Sequence, residues 1–192
     1  MSDSPLGRIV RIQIQRSILK HNGVGYDPSP LLQVEEAAIG PRGITGLHEG
    51  SHVMDVNHAA HPLGRGGGRR TLSIGFTGHY RHMAARFGNV PVGIGGENII
   101  VEHNGRLFPE DLAGTLVILG SSGEITVTGA RVAAPCREFT SFLLGRDGVA
   151  DRSEVADELA FLGEGMRGFI VDGSALERPM VVRVGDEMVL RG

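Results

Sequence analysis

The sequence of 192 residues contains only one cysteine and no tryptophan. A single cysteine excludes an internal disulfide framework and any zinc or redox site built on paired cysteines. No apolar run approaches the roughly 18 residues that a membrane span needs, and the N-terminus carries no apolar signal-peptide core. The formal net charge of −3 argues against general nucleic-acid binding. We therefore expect a cytoplasmic protein that contacts neither a membrane nor a nucleic acid.

Glycine, in contrast, is abundant, with 30 residues, which is about twice its usual frequency. Frequent glycine is typical of chains with many tight turns and bulges, and hence of β-rich folds. About nine short strand patterns and three helical patterns follow one another without an internal repeat or a low-complexity linker. We predict a mainly β fold in which residues 1–192 form one domain, a closed or nearly closed β-barrel with inserted short helices.

The strand patterns predict local details that the structure can test. Alternation places Val10, Ile12 and Ile14 on one face of the first strand. The glycine-punctuated segment Gly40–Gly46 is predicted to be a loop. Residues 180–190 read as two strands around a turn and predict a hairpin that closes the chain.

Two helices and one hairpin are also predicted. Apolar residues at helical spacing from Tyr80 to Phe87 indicate an amphipathic helix that ends at Gly88. Ser153 is expected to cap a further helix whose apolar residues face the core. Gly120–Gly123 is a hairpin turn between two strands.

Half of the eight histidines lie between residues 46 and 61, and they are His48, His52, His58 and His61. Neutral imidazole is a ligand for zinc, copper or iron, but this spacing matches no compact metal-binding motif. The sequence favours instead a polar cleft in which one or two histidines touch a substrate. The segment that follows carries Arg65, Arg69 and Arg70 among glycines, and it is either a solvated connection or a lid over an anionic ligand.

The only cysteine, Cys136, lies between a predicted strand, Glu124–Ala134, and a short predicted helix. A thiol at a helix start and beside Arg137 is favoured in its thiolate form. A lone cysteine is also a common buried structural residue. A phosphatase loop would need an arginine six residues later, where Phe142 stands, so this class is excluded. A cysteine–histidine hydrolase and a thiolate that carries sulfur or binds a soft metal both remain.

Three blocks in order resemble the MOSC domain, which is named for the C-terminal part of molybdenum cofactor sulfurases. They are Gly-Ile-Gly-Gly-Glu-Asn-Ile-Ile-Val-Glu at 93–102, Ala-Pro-Cys-Arg at 134–137, and Gly-Glu-Gly-Met-Arg-Gly-Phe at 163–169 followed by the terminal segment 184–190. The helix from Tyr80 to Phe87 also matches the family, and the resemblance runs from Gly7 to Leu190. It implies a β-barrel of mixed topology, of the MOSC and pyruvate-kinase type.

The resemblance implies a function for the thiol. Cys136 would be the catalytic residue, either carrying a persulfide sulfur or ligating the molybdenum of a molybdenum-pterin cofactor, and the family is also associated with pyridoxal phosphate. The protein would then be a molybdenum-dependent reductase, acting on N-hydroxylated substrates, or a sulfur-transfer protein. Its partners would be an electron donor or a cysteine desulfurase. The residues expected to bind the cofactor are Glu97, Asn98, Arg131, Arg137, Arg167, Gly168 and His48.

The chain departs from the family at one position. Members carry a Gly-Asp-x-His element before the central strands, and Leu47 stands here where the aspartate is expected. The chain also lacks the aminotransferase-like domain of full sulfurases and resembles a stand-alone MOSC protein. The alternative function is a non-catalytic β-barrel module that binds an anionic ligand and has lost the activity.

Overall fold

The computed structural model describes residues 3–64 and 72–192, which contain fourteen strands and three α-helices. No helix in this described part is long and apolar enough to cross a membrane. The strands are β1 (Asp3–Gln15), β2 (Lys20–His21), β3 (Gly25–Tyr26), β4 (Leu31–Val34), β5 (Glu36–Gly40), β6 (Gly43–His48), β7 (Ser51–Met54), β8 (Leu72–Phe76), β9 (Ile99–Val101), β10 (Thr115–Gly120), β11 (Gly123–Val132), β12 (Phe169–Asp172), β13 (Met180–Arg183) and β14 (Glu187–Arg191). The helices are α1 (Thr77–Phe87), α2 (Arg137–Leu143) and α3 (Ala156–Phe161), with 3-10 turns at Pro109–Leu112 and Arg152–Val155.

Seven strands form a closed β-barrel. Their order is β14-β10-β11-β12-β8-β9-β1, and β1 pairs with β14 to complete the ring. All neighbours are antiparallel except β8 and β9, which run parallel because α1 lies in the connection between them. The mainly β fold, the barrel and its mixed topology are therefore confirmed.

A second, four-stranded sheet has the order β13-β5-β6-β7. The predicted loop at Gly40–Gly46 is wrong, because Gly43 begins strand β6 of this sheet. A Cβ on Gly46 would lie 2.6 Å from Cγ1 of Ile14 on β1. The glycine thus lets β6 approach the barrel closely, and the turn itself is limited to residues 41 and 42.

The predicted closing hairpin is also wrong. Strand β13 pairs with β5 in the second sheet, whereas β14 pairs with β1 and β10 in the barrel. The turn before β14 does exist, since the backbone N–H of Asp186 donates to the carbonyl of Arg183 at 3.2 Å. The chain therefore passes from one sheet to the other at this turn.

Strand β1 contains a bulge that changes which side chains face the core. Its register against β9 shifts between Ile9 and Arg11. As a result Ile9 and Ile12 are buried, while Val10 is 39 % exposed, contrary to the predicted alternation. Ile14 is buried as predicted.

The helices match their predictions with one exception. Helix α1 buries Tyr80 and Met83 and is followed by Gly88 at φ 88°. Ser153 does not cap a helix, because Asp151 is the N-cap residue of the 3-10 turn that precedes α3. The predicted turn at Gly120–Gly123 joins β10 to β11.

The buried apolar residues form two large clusters. One fills the barrel and includes Ile12, Ile74 and Phe169. The other joins α1, α2 and the segment before β12, and it includes Tyr80 and Phe139. Cys136 packs against this second cluster, so the start of α2 is held against the barrel.

Helix α1 also buries a neutral histidine that predicts acid sensitivity. Burial and the charge of Arg106 lower the pKa of His79 to about 4, and its Nε2 accepts the backbone N–H of Leu107 at 2.9 Å. The unfolded chain takes up this proton below pH 6.5, so stability is complete above that pH and is lost as the pH falls towards 4. We expect about 3 kcal/mol less free energy of unfolding across this interval from His79 alone.

Chemical denaturation of the His79→Gln variant at pH 7 and pH 4 tests this expectation. The variant should lose most of this pH dependence, whereas His82→Ala, at an exposed position on the same helix, should keep it. An equal pH dependence in the wild type and in His79→Gln would contradict it.

Candidate functional site

A cavity of about 630 Å³ opens where one end of the barrel meets the β2–β3 hairpin, the segment after β7 and the start of α2. Its walls contain apolar side chains such as Ile18, Leu72 and Ile170. The ionisable residues in its walls are Lys20, Tyr26, His58, Glu97, Cys136 and Arg167. A concave site with a few converging polar groups is the usual form of a ligand-binding pocket.

The thiol of Cys136 lies at the wall of this cavity, at the N-cap of α2. The residue is half-buried and not in a disulfide. Nη1 of Arg167 lies 3.8 Å from its Sγ. A guanidinium at this distance complements a negatively charged sulfur or an anionic group bound beside it.

Arg167 is held in place by contacts on three sides. Its Nη2 donates to the carbonyl of Gly95 at 2.7 Å, and its guanidinium stacks 4.4 Å above the ring of Phe139. Its Nε is buried and has no hydrogen-bond partner among the described residues. Arg167 therefore joins the 93–98 loop to the cysteine and keeps one donor uncommitted.

Glu97 is fully buried at the base of the same loop. Its Oε2 accepts a short hydrogen bond from the hydroxyl of Tyr80, whose oxygen in turn accepts the backbone N–H of Gly95 at 3.1 Å. Burial raises the pKa of Glu97 despite the opposing effects of this hydroxyl and of the Arg167 charge. Burial and the adjacent Glu97 also raise the pKa of Tyr80 well above its usual value.

Asn98 braces the cavity wall through a fully used amide. Its Oδ1 accepts the backbone N–H and the hydroxyl of Ser73 at 3.0 and 3.1 Å. Its Nδ2 donates to Asp55 at 2.7 Å and to the backbone carbonyl of Gln13 at 3.2 Å. These bonds tie β8, β1 and the segment after β7 to one side chain.

Asp55 is the buried carboxyl group of this network, and burial raises its pKa despite the hydrogen bonds that it accepts. Besides Asn98, it accepts the backbone N–H of Gln15 at 2.8 Å and two donors of Asn57 at 2.9 and 3.0 Å. Leu47, by contrast, is 38 % exposed on β6 and does not line the cavity.

Gly168 is required by close packing around Glu97. It has φ 85°, a conformation that favours glycine. A Cβ here would collide with the carbonyl oxygen of Ile74 and would lie 3.0 Å from Cγ of Glu97. The absence of a side chain at Gly168 thus lets Glu97 and β8 pack closely against the backbone at this position.

Besides Gly168, three of the predicted site residues lie away from the cavity walls. Arg137 turns towards the segment after α2, where Nη1 lies 3.3 Å from the carbonyl of Ala150 and 3.6 Å from Asp151. Arg131 is exposed on β11, paired with Ile170 in the β12 register. His48 ends β6, with its ring 4.0 Å from Glu49. The cavity thus brings together Cys136, Glu97, Asn98 and Arg167, with Gly168 packed against Glu97.

Several residues near the cavity were not predicted from the sequence. Lys20 is the only lysine in the sequence, and like the only cysteine it lines this cavity. Its Nζ lies 3.4 Å from Glu138, which also accepts the backbone N–H of Gly23 at 3.1 Å and so fixes the β2–β3 hairpin to α2. The uniqueness of this lysine was the one sequence signal available for it. Tyr26, Asp55 and Tyr80 carried no comparable signal.

The histidine cluster is divided by the fold. His58 lines the cavity, whereas His48, His52 and His61 are not in its walls. No group of three or more His, Cys, Asp or Glu side chains in residues 3–64 and 72–192 is arranged to hold a metal ion. The predicted arginine lid at 65–70 lies outside the described residues.

Comparisons with known proteins agree with this fold. Residues 61–189, more than half of the chain, match the profile of the MOSC domain. The YuaD protein from Bacillus subtilis has a similar structure, with a TM-score of 0.51, 21 % identity, and coverage of 100 % of this chain and 98 % of that chain. YiiM from Geobacillus stearothermophilus has a TM-score of 0.52 and 15 % identity, with 96 % and 75 % covered. No curated protein sequence gives a significant match. The chain therefore belongs to the MOSC domain family.

Proposed function

We propose that this MOSC-domain protein binds a molybdenum-pterin cofactor in the cavity, with Cys136 as the protein ligand of molybdenum. The observation that carries the proposal is the thiol of Cys136 on the wall of a cavity of about 630 Å³, with the Arg167 guanidinium 3.8 Å from its sulfur. The substrate would be an N-hydroxylated compound, and a protein partner would supply electrons.

The residues present suit this cofactor. Thiolate is a soft ligand of the kind that binds thiophilic metals, and a cavity of about 300–1,000 Å³ is typical for small ligands and cofactors. The guanidinium of Arg167 beside the thiol and the ammonium group of Lys20 supply positive charge for an anionic group such as a phosphate. Gly95 and Gly96 in the wall let a ligand approach the backbone closely.

Residues of the cavity and of the network behind it have distinct roles in this proposal. When bound, the cofactor supplies two-electron chemistry at the metal for removal of the substrate oxygen. Arg167 orients the anionic end of the ligand beside the thiol, while Leu72 and Ile170 keep water away from part of the cavity wall. The Asn98 and Asp55 network keeps the wall rigid behind them.

A second candidate function is a persulfide carrier. It is supported by the accessibility of the half-buried thiol and by the guanidinium beside its sulfur. In this case a cysteine desulfurase would deliver one sulfur atom to Cys136, and the protein would pass it to an acceptor.

Elemental analysis and intact mass of the protein purified from its native host distinguish these functions. A molybdenum content near one atom per chain supports the cofactor proposal. A mass increase of about 32 Da on Cys136, the mass of one sulfur atom, supports the persulfide carrier. If the protein carries neither molybdenum nor an added sulfur atom, both proposals are contradicted. The remaining hypothesis is then a non-catalytic module that binds anionic ligands.

The two arginines nearest the cysteine in sequence and in space give a matched pair of variants. Arg167→Ala should weaken cofactor binding about 30-fold, because it removes the charge and hydrogen-bond donors beside the thiol. Arg137→Ala should change it less than about twofold, since its guanidinium contacts Ala150 and Asp151 instead. Equilibrium dialysis of the cofactor-free protein with isolated cofactor measures both, and equal losses would contradict the assignment of Arg167.

A further inference from the structure

Three glycines from separate parts of the chain converge on the side chain of Glu97. A Cβ on Gly95 would lie 2.9 Å from Oε1 and 3.0 Å from Oε2 of Glu97. A Cβ on Gly75 of β8 would lie 3.1 Å from its Cγ, and one on Gly168 would lie 3.0 Å from the same atom. The backbone therefore encloses this carboxyl group so tightly that larger residues cannot stand around it.

The enclosed carboxyl group uses only one of its oxygens. Oε2 accepts the hydroxyl of Tyr80, whereas Oε1 has no hydrogen-bond partner among the described residues, although the side chain is buried and lines the cavity. A buried oxygen of this kind is costly unless it carries a proton or meets a ligand. Burial also raises the pKa of Asp55, but four hydrogen bonds donated by the protein hold both of its oxygens, so it has no unpaired oxygen.

The groups that face Glu97 leave its charge largely uncompensated. Its titratable neighbours are Tyr80 on α1 and Tyr26 on β3. The cation whose charge acts on Glu97 is Arg167, which lies just before β12. Arg167 is shared with the sulfur of Cys136 and the carbonyl of Gly95. Burial consequently outweighs both the Arg167 charge and the Tyr80 hydrogen bond, and it raises the pKa of Glu97.

We propose that Glu97 is held as a neutral carboxylic acid and is the proton donor of the cavity, acting on the ligand bound at Cys136. This role rests on the proposed function for its substrate. Reduction of an N-hydroxylated compound consumes two electrons, supplied by the electron-donor partner, and two protons, and it yields an amine and water. Glu97 supplies the proton that lets the hydroxyl group leave as water, while the nitrogen takes the second proton from solvent.

The proton balance closes within the site. After donation Glu97 is a carboxylate, which the Tyr80 hydroxyl and the Arg167 charge both stabilise. Solvent then returns a proton through the open cavity, and the acid is restored. A carboxyl group whose pKa is raised by burial is suited to this task, because burial favours its protonated form and the proton can then pass to a basic leaving group.

Infrared difference spectroscopy of the cofactor-free protein tests the protonation state directly. At pH 7 the wild type should show a carboxylic acid carbonyl band that is absent from Glu97→Gln and present in Asp55→Asn. In Tyr80→Phe the band should persist to higher pH than in the wild type, because the hydrogen bond that favours the carboxylate is gone. No acid band at pH 7, or a band that disappears only in Asp55→Asn, would overturn the proposal.

Activity of the cofactor-loaded protein tests the donor role. Glu97→Gln should keep its molybdenum content and lose about 100-fold or more in kcat on a hydroxylamine substrate. Retention of full kcat would overturn the donor role. Because the infrared experiment uses protein without cofactor, its outcome is independent of whether molybdenum binds, and failures of the two proposals can be told apart.

Discussion

Protein in which Cys136 is replaced by serine is expected to purify without molybdenum and without an added sulfur atom. A serine hydroxyl stays protonated at neutral pH, is a hard ligand, and cannot form a persulfide. No other residue can take over this role, since the sequence contains no second cysteine. Elemental analysis and intact mass of wild type and variant, prepared side by side, measure the loss.

The variant should fold normally, which makes the result interpretable. Cys136 occupies the N-cap of α2 and makes no side-chain capping bond there. Serine is among the preferred N-cap residues, so the variant should be as stable as the wild type or slightly more stable. Molybdenum or sulfur retained by Cys136→Ser at the wild-type level would show that the thiol is not the working group.

Replacing Gly168 with alanine should lower the free energy of unfolding by about 4 kcal/mol, close to the largest effects of single substitutions. The left-handed backbone costs an alanine about 1–2 kcal/mol. The remainder comes from the collision of the new methyl group with the carbonyl oxygen of Ile74, a backbone atom that a side-chain rotation cannot move away. Urea denaturation followed by circular dichroism measures the change.

Gly185→Ala is the matched control for the collision. Gly185 has φ 98°, in the same left-handed range, but a Cβ there would meet no atom within 4 Å. It should cost only about 1 kcal/mol, because it pays the backbone strain alone. Similar losses in the two variants would mean that backbone strain alone explains both glycines.

The parts of the fold that follow from local signals could be read from the sequence. Helix α1 follows from apolar spacing and a terminal glycine, and the β10–β11 hairpin follows from its turn residues. The strand order could not be read in this way. Which partner β13 or β14 finds depends on contacts with β5, β1 and β10, and these are set by the whole barrel.

The two wrong strand predictions, for Gly40–Gly46 and for Val10, have a common physical cause. In the segment Gly40–Gly46 glycine suggested a loop, yet Gly46 stands in a strand because Ile14 of β1 lies against it. The bulge that exposes Val10 is likewise a pairing effect between β1 and β9. Both depend on a neighbouring strand, which a single segment of sequence does not encode.

The site residues also differ in whether they could be predicted from local sequence. Motif resemblance placed Cys136, Glu97 and Arg167, which the fold does bring into one cavity. It did not separate Arg167 from Arg137, because the direction of an arginine side chain depends on acceptors such as Ala150 that lie elsewhere in the chain. Asp55 was overlooked for the same reason, since its hydrogen-bond partner Asn98 is distant in sequence.

The pairing of β1 with β14 has a consequence for biosynthesis. Asp3 lies opposite Arg191, whose guanidinium bonds both Asp3 and Glu124. The barrel can therefore close only after β14 has left the ribosome, and until then β1 and β10 both present unpaired edges. Folding of the barrel should therefore await synthesis of β14, with closure between these two sequence-distant strands as its slow step.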